Sequence, residues 1–234
     1  MITKPTTDRG RATVSRVLES ACVLFAKQGV RATTLDEIGA AAGVGRGQLY
    51  HFFAGKADLV ADVVALQVEQ VIASMQPSFD AMSTAADVRA WCDDAVSSYA
   101  SSNDPIRCPI GSLVHELDHG EGPARDALKA GFARWEALFA EGLRRVADNG
   151  DLIAGADPSL LAHGLLAAYQ GGVLLADVSG DVEPLQRALE AVTTTALVPA
   201  VTATERARRS PRRAVTPARR PRRTQPPGNR SAHR

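Results

Sequence analysis

The chain has 234 residues, of which 45% are hydrophobic, and its formal net charge is +1. This apolar content is sufficient for a sizeable core and excludes a globally disordered chain. The first residues show no apolar run behind a basic flank, and the longest apolar stretch, from Leu160 to Ala176, is interrupted by glycines and polar residues, so we expect neither a signal peptide nor a membrane span. The three cysteines lack a paired spacing, which favours a reducing compartment, and we expect a soluble cytoplasmic protein.

The charges are strongly segregated along the chain. Residues 1–56 hold eight Lys or Arg against four Asp or Glu, and residues 204–234 hold eleven arginines against one acid. The intervening residues 57–203 therefore carry a net charge of −13. A basic N-terminal unit beside an acidic body is typical of a nucleic-acid-binding head on a regulatory domain.

The first 56 residues predict three helices. Apolar residues recur with helical spacing over residues 13–28, and Gly29 marks the end of that helix. Thr34 and Glu37 have the spacing of a capping box, which begins a short helix that reaches about residue 42. Gly43 permits a tight turn, and a second short helix follows over residues 45–52. Two short helices joined by a glycine turn predict a helix-turn-helix.

The rest of the chain predicts further helices and no strand, so the expected fold class is all-α. A helix begins after Lys56 and runs towards Met75, with Pro77 as its end. The helices that follow are expected over residues 85–101, 106–118, 122–149, 157–177 and 181–198. Residues 204–234 consist largely of Arg, Pro, Ser and Thr, which predicts a disordered tail. That tail is either a solvated end or a sequence-independent nucleic-acid contact.

The second short helix has polar residues that a core does not require. Arginine can bind guanine edges and glutamine can bind adenine, whereas Thr, Tyr and Lys can bind phosphates. We predict contacts to double-stranded DNA from Thr34, Arg46, Gly47, Gln48, Tyr50, His51 and Lys56. The alternatives are a helical hairpin that binds no DNA and, for Tyr50 or His51 alone, a packing or capping role.

Residues 33–59, which read TTLDEIGAAAGVGRGQLYHFFAGKADL, resemble the signature of the TetR family of regulators. The resemblance implies a homodimer with a DNA-binding head (1–56), a ligand-binding and dimerisation body (57–203) and no membrane association. It also implies that the chain is not an enzyme and needs no cofactor. The sequence departs from the family pattern at Gly45, where Ser or Thr is frequent, and at Phe52, where Tyr is frequent.

A second segment, Cys108 to Leu117, reads CPIGSLVHEL and resembles the LmrA/YxaF-like subgroup of TetR regulators. This likeness implies an effector of drug-like or aromatic character. The same region contains His115, Glu116 and His119, which form a literal H-E-x-x-H string. Such a string holds zinc in one class of metalloproteases. We nevertheless predict no metal and no catalytic residue here, because His119 at a helix end is explained by the helix dipole.

Two further sets of residues lie in the acidic body. The predicted effector-binding residues are the large apolar ones on the long helices: Trp91, Leu113, Phe132, Trp135, Phe139 and Tyr169. The predicted dimer interface uses the last two helices, through Leu161, Gly164, Leu165, Ala168, Gly172, Leu185, Leu189 and Val192. Core packing within one chain is the alternative for both sets.

The sequence thus predicts a regulator that releases a palindromic operator when it binds a small apolar or aromatic effector. The resemblance to the TetR family implies that this regulator is a repressor. The alternative is a zinc-dependent hydrolase, or a metal-responsive regulator, that uses His115, Glu116 and His119.

Overall fold

The computed structural model describes residues 5–102, 105–117 and 122–199. These residues form helices joined by turns and loops, with one isolated antiparallel bridge between Leu152 and Leu197. The prediction of an all-α fold is confirmed. The helices are α1 (Asp8–Gln28), α2 (Leu35–Ala42), α3 (Arg46–Phe52), α4 (Lys56–Ala81), α5 (Ala85–Ala100), α6 (Pro109–Glu116), α7 (Pro123–Asp148), α8 (Pro158–Ser179) and α9 (Glu183–Ala196).

The first three helices share a small core. On α1 the buried residues Val17, Ala21 and Phe25 recur every four positions, which places them on one face. Ile38 of α2 and Leu49 of α3 are buried with them. Thr7 caps α1 by accepting a hydrogen bond from the Gly10 backbone N–H, so the helix begins five residues earlier than the sequence pattern predicted.

Helix α4 continues beyond Pro77 to Ala81, so the prediction that Pro77 ends it is wrong. The last turn is held by contacts that the sequence pattern does not show. The side chain of Phe79 is buried, and the Arg145 guanidinium donates hydrogen bonds to the carbonyls of Phe79 and Met82. These contacts offset the loss of one backbone hydrogen bond at the proline.

The body is built on two close helix pairs. Helix α4 packs along α7, and α8 packs along both α7 and α9. Glycines permit the approach: a Cβ at position 131 would lie 2.6 Å from the Val68 side chain, and one at position 172 would lie 2.8 Å from the Leu185 Cα. Aromatic rings fill the centre of the body, where Phe139 lies edge-on to both Phe79 and Trp91 at 4.6 and 4.7 Å between ring centroids.

By length and composition alone, helix α8 could cross a membrane. In the folded chain, 44% of its most apolar 18-residue segment is buried. It packs against α7 and α9, and the core helix of a soluble protein passes the same test. The expected head boundary at residue 56 coincides with the start of α4, but α4 contacts both α1 and α7, so the division at this residue stays a prediction. The predicted tail lies outside the described residues.

Candidate functional site

The turn between α2 and α3 is set by local hydrogen bonds. The Thr34 side chain accepts from the Glu37 backbone N–H, and the Glu37 carboxylate accepts from the Thr34 N–H at 2.7 Å, which completes the predicted capping box. The hydrogen bond from the Thr34 backbone is the largest cause that lowers the pKa of Glu37. Gly43 then adopts the left-handed conformation (φ 64°, ψ 36°) that the turn into α3 requires.

Helix α3 has one face in the core and one in solvent. Leu49 and Phe52 are buried and fix the helix against the rest of the head. The remaining positions are exposed, and they are the predicted DNA contacts Arg46, Gly47, Gln48, Tyr50 and His51. The side chain of Phe52 is buried. The departure from the frequent tyrosine at this position therefore removes no side chain from the exposed face of α3.

Arg46 already has a partner in the free protein. Its Nε and Nη2 atoms donate to the Asp36 carboxylate at 3.0 and 2.5 Å, and both side chains are largely exposed. The hydrogen bond to Asp36 is the main cause that raises the pKa of Arg46. This pair connects α2 to α3, and sequence reasoning did not find it.

The two predicted phosphate contacts flank α3. Thr34 is exposed at the N-terminus of α2, where backbone N–H groups favour anions. Lys56 is the first residue of α4 and donates a hydrogen bond to the Arg31 carbonyl at 3.2 Å. Its ammonium therefore lies close to the turn that precedes α2.

A cleft of about 480 Å³ opens in the body between α6 and α8. The Cys108 thiol caps α6 by accepting from the Gly111 N–H, and it also accepts from the Gln170 amide at 3.3 Å. Burial is the main cause that raises the pKa of Cys108. The apolar residues of the lining are Val114, Phe132, Val173 and Leu174, and charged residues line the cleft beside them.

An ion pair and a tyrosine pair lie beside this cleft. The Arg107 Nε atom contacts the Asp177 carboxylate at 3.3 Å, and both residues line the cleft. The hydroxyls of Tyr99 and Tyr169 are 3.0 Å apart, and burial raises the pKa of both. Both phenols are therefore neutral at physiological pH.

The aromatic residues predicted to bind an effector come together in one cluster of ring contacts, but this cluster lies largely beside the cleft and not in its lining. Phe132 lines the cleft, whereas Trp91, Leu113, Trp135, Phe139 and Tyr169 are buried in the core. Their contact with an effector stays a prediction. Sequence reasoning missed the polar lining from Cys108 and Gln170. The available signals were the C-P-I-G segment itself and an amide in the apolar helix α8.

Two of the three residues of the H-E-x-x-H string lie at the cleft. His115 and Glu116 line the cleft, and Glu116 Oε2 accepts a hydrogen bond from the Val30 backbone N–H at 3.1 Å. His119 lies outside the described residues. Within the part of the chain that the structure describes, no three His, Cys, Asp or Glu side chains are grouped as metal ligands. The zinc hypothesis gains no support from this arrangement.

The residues predicted to form the dimer interface are mostly turned towards their own chain. Leu161, Leu165, Gly172, Leu185 and Leu189 are buried, and they join α8 to α9 or to the body. Gly164, Ala168 and Val192 are half-buried. The large apolar residues that α8 leaves exposed are instead Leu160, Leu174, Leu175 and Val178.

A helix-turn-helix that exposes a polar face, joined to an all-α body with a cleft, defines the class of DNA-binding regulators. Residues 17–63 match the family model for bacterial regulatory proteins of the tetR family, and residues 84–192 match the model for tetracyclin repressor-like C-terminal domains. The chain belongs to the TetR family of ligand-responsive transcriptional regulators.

The curated relatives agree with this assignment. YxaF of Bacillus subtilis (strain 168), an uncharacterized HTH-type transcriptional regulator, is 29% identical over 172 residues, which cover 73% of this chain and 87% of YxaF. LmrA of the same organism, an HTH-type transcriptional regulator, is 24% identical over 172 residues, which cover 73% of this chain and 89% of LmrA.

Solved structures show the same fold. The reduced form of E. coli NemR superposes with a TM-score of 0.72 at 22% identity, covering 81% of this chain and all of that one. SmeT, the repressor of the Stenotrophomonas maltophilia multidrug efflux pump SmeDEF, has a TM-score of 0.64 at 26% identity, covering 82% of this chain and 94% of SmeT. SmeT is also known in a complex with triclosan, which superposes with a TM-score of 0.65 at 26% identity and covers 80% of this chain and 93% of that one.

Proposed function

We propose that the chain is a homodimeric repressor that places α3 of each subunit in the major groove of a palindromic operator and releases it when an effector occupies the α6–α8 cleft. The observation that carries this proposal is the division of α3 into a buried anchor and a polar exposed face. Arg46 and Gln48 on that face have the chemistry to bind base edges. Thr34 and Lys56 flank it and would bind phosphates.

The cleft supports an effector of mixed character. Val114, Phe132 and Val173 offer apolar contact, and Cys108 and Gln170 offer polar groups beside it. Apolar walls with a few convergent polar groups are the usual form of a small-molecule site, and the volume of about 480 Å³ lies in the usual range. The triclosan complex of SmeT is a precedent for an aromatic effector in a protein of this fold.

The dimer face proposed here is the exposed apolar stripe of α8. Leu160, Leu174, Leu175 and Val178 have helical spacing, and Val178 is 80% exposed in the single chain. An apolar stripe of this kind is unfavourable in water and typical of an interface. A two-fold interface along α8 would relate the two heads by the same symmetry that relates the two half-sites of a palindromic operator, so each head could bind one half-site.

The test is binding of the purified full-length protein to DNA from beside its own gene, measured by fluorescence anisotropy with unrelated DNA as competitor. Arg46→Ala/Gln48→Ala should weaken selective binding by more than about tenfold, because each base contact is duplicated in the two half-sites. The matched control, Arg144→Ala/Gln76→Ala, removes the same two residue types from α7 and α4, away from α3, and should bind as the wild type does.

Truncation after residue 203 removes the arginine-rich tail and so distinguishes the contribution of the head to DNA binding from that of the tail. Selective binding should survive truncation if α3 supplies the specificity. Unselective binding that is lost with the tail, and is unaffected by the α3 substitutions, would refute the proposed function.

A further inference from the structure

An ion pair between α2 and α3 holds the first side chain of α3 in a defined place. Arg46 is the first residue of α3, and Asp36 is the second residue of α2. The Arg46 Nε and Nη2 atoms donate to the two oxygens of the Asp36 carboxylate at 3.0 and 2.5 Å. The carboxylate therefore binds one edge of the guanidinium. The edge between Nη1 and Nη2 keeps a pair of N–H donors that point away from Asp36.

The backbone on both sides of Arg46 is open. Its neighbours are Gly45 and Gly47, and a Cβ at either position would meet no atom of the described residues within 4 Å. A base edge can therefore approach Arg46 closely. An arginine without packed neighbours has many rotamers, which must be lost when it binds a base. The bidentate pair with Asp36 restricts these rotamers before DNA is bound, because it fixes the plane of the guanidinium.

The side chain of Asp36 is not needed to cap α2. The capping box at the start of this helix uses Thr34 and Glu37, which satisfy each other's backbone N–H groups. The Asp36 side chain is largely exposed and is directed to Arg46. Its remaining structural effect is that of an acid in the first turn of a helix, which stabilises the helix through the dipole. Asp36 can therefore be substituted while the cap is kept.

The pair changes which groups of DNA attract Arg46. Contacts to phosphates are driven by net positive charge and the release of counterions. The Asp36 carboxylate neutralises the charge of Arg46, so the pair has little attraction for phosphates. Guanine differs from phosphate, because its uncharged O6 and N7 atoms accept hydrogen bonds from the two N–H groups of one arginine edge. The pair therefore favours a guanine edge over a phosphate.

We propose that Asp36 is a specificity-determining residue, which presents the Nη1–Nη2 edge of Arg46 to a guanine and keeps Arg46 from the phosphates of unrelated DNA. This inference rests on the proposed function and adds the base that Arg46 binds and the residue that positions it. Asp36 is a positioning residue, since it acts through Arg46. A dimer has two such pairs, one for each half-site of a palindromic operator.

Asp36→Asn tests the proposal, because asparagine keeps the size of the side chain and removes its charge. Binding is measured by fluorescence anisotropy with DNA from beside the gene and with an unrelated duplex of the same length. At about 0.15 M salt, binding to the unrelated duplex should tighten about tenfold, because each subunit gains a phosphate contact through the freed Arg46. On that duplex the plot of log K against log salt concentration should become steeper by about two. DNA from beside the gene should gain about twofold or less, because Arg46 already binds a base there.

Control variants separate the pair from a general change of charge. Asp8→Asn removes an exposed acid that pairs with Arg11 in the same head, and it should leave the ratio of the two affinities unchanged. In an Arg46→Ala background, Asp36→Asn should affect the unrelated duplex no more than Asp8→Asn does. Asp36→Glu keeps the charge and should retain the selectivity. Thermal unfolding of each variant measures the loss of the helix-dipole contribution separately from DNA binding.

Selection from a pool of random duplexes tests the identity of the base. The wild type should enrich guanine at one position in each half-site, Arg46→Ala should lose that preference, and Asp36→Asn should weaken it. Enrichment of another base at the position that depends on Arg46 would refute the assignment to guanine.

The remaining outcomes distinguish this inference from the proposed function. If Asp36→Asn leaves the ratio of the two affinities unchanged, or acts equally in the Arg46→Ala background, the specificity role of Asp36 is refuted and the regulator stands. Weaker binding to both duplexes would also refute that role, since the pair would then serve to hold α3 in place. If the wild type binds both duplexes equally, the proposed function fails, while the salt dependence on the unrelated duplex still decides whether Asp36 keeps Arg46 from phosphates.

Discussion

Gly172→Ala tests whether the small residues of α8 serve packing within one chain. A Cβ at position 172 would lie 2.8 Å from the Leu185 Cα and 2.9 Å from its Cδ1. Because the Leu185 Cα is a backbone atom, no rotamer of Leu185 relieves that contact, and α9 must move away from α8. Overpacking of this kind costs about 1–3 kcal/mol. The alanine recovers about 1 kcal/mol of helix propensity, which leaves a net loss of up to about 2 kcal/mol.

Gly171→Ala is the matched control in the same helix. Position 171 has open space around its Cβ, so this substitution should stabilise the protein by about 1 kcal/mol through propensity alone. Thermal unfolding followed by circular dichroism should therefore show midpoints that shift in opposite directions, by about 2–4 °C for each kcal/mol. The measurement is repeated over a wide range of protein concentration.

An effect of Gly172→Ala that appears only near the concentration at which dimers dissociate would refute this reasoning. It would mean that Gly172 lies in the dimer interface, as the sequence alone suggested. Equal stability of the two variants would instead show that α8 and α9 are farther apart than the structure places them.

Three further predictions concern the surfaces around the site. Leu175→Arg should shift the protein from dimer to monomer in sedimentation, since it places a charge in the exposed α8 stripe, whereas Val23→Arg on exposed α1 should not. Burial raises the pKa of Cys108 above its ordinary value of 9.0, so its alkylation by iodoacetamide should be slow in the native protein at neutral pH. The rate should increase as the pH rises and become fast on unfolding. Equal rates in the native and unfolded states would contradict this. Asp36→Asn should tighten DNA binding by freeing the Arg46 guanidinium, and weaker binding would show that the pair positions α3 instead.

The head could be predicted closely from the sequence because its signals are local. The capping box at Thr34, the left-handed glycine at position 43 and the spacing of Ile38 and Leu49 each act within a few residues. Such patterns fix which positions of α3 point outwards. The pairing of Arg46 with Asp36 was missed because it joins two helices at a separation of ten residues. Both side chains are largely exposed and would be solvated without the pair, so their presence does not require a partner.

The body was harder to predict because its helices are apolar on more than one face. On α8 both the buried Leu161 and Leu165 and the exposed Leu160 and Leu175 belong to the same apolar run, so periodicity cannot separate the intrachain face from an intermolecular one. The sequence therefore assigned to a dimer interface several residues that the fold buries against α9. The end of α4 could not be predicted from Pro77, because Arg145, which donates to the Phe79 carbonyl in the last turn of α4, is distant in the sequence.

The cleft is better marked by polar residues in apolar surroundings than by aromatic ones. A phenylalanine ring has no polar atom that loses a hydrogen bond on entering the core, and Phe139 is completely buried in the core of this body. An amide does lose free energy there unless it finds a partner, so Gln170 in the apolar helix α8 requires a polar group opposite it. That partner is the Cys108 thiol at the start of α6, and a Cβ at position 111 would lie 2.5 Å from the Gln170 oxygen. Glycine at position 111 therefore lets α6 approach α8 at one end of the cleft, and Glu116 at the other end of the same short helix contacts the head.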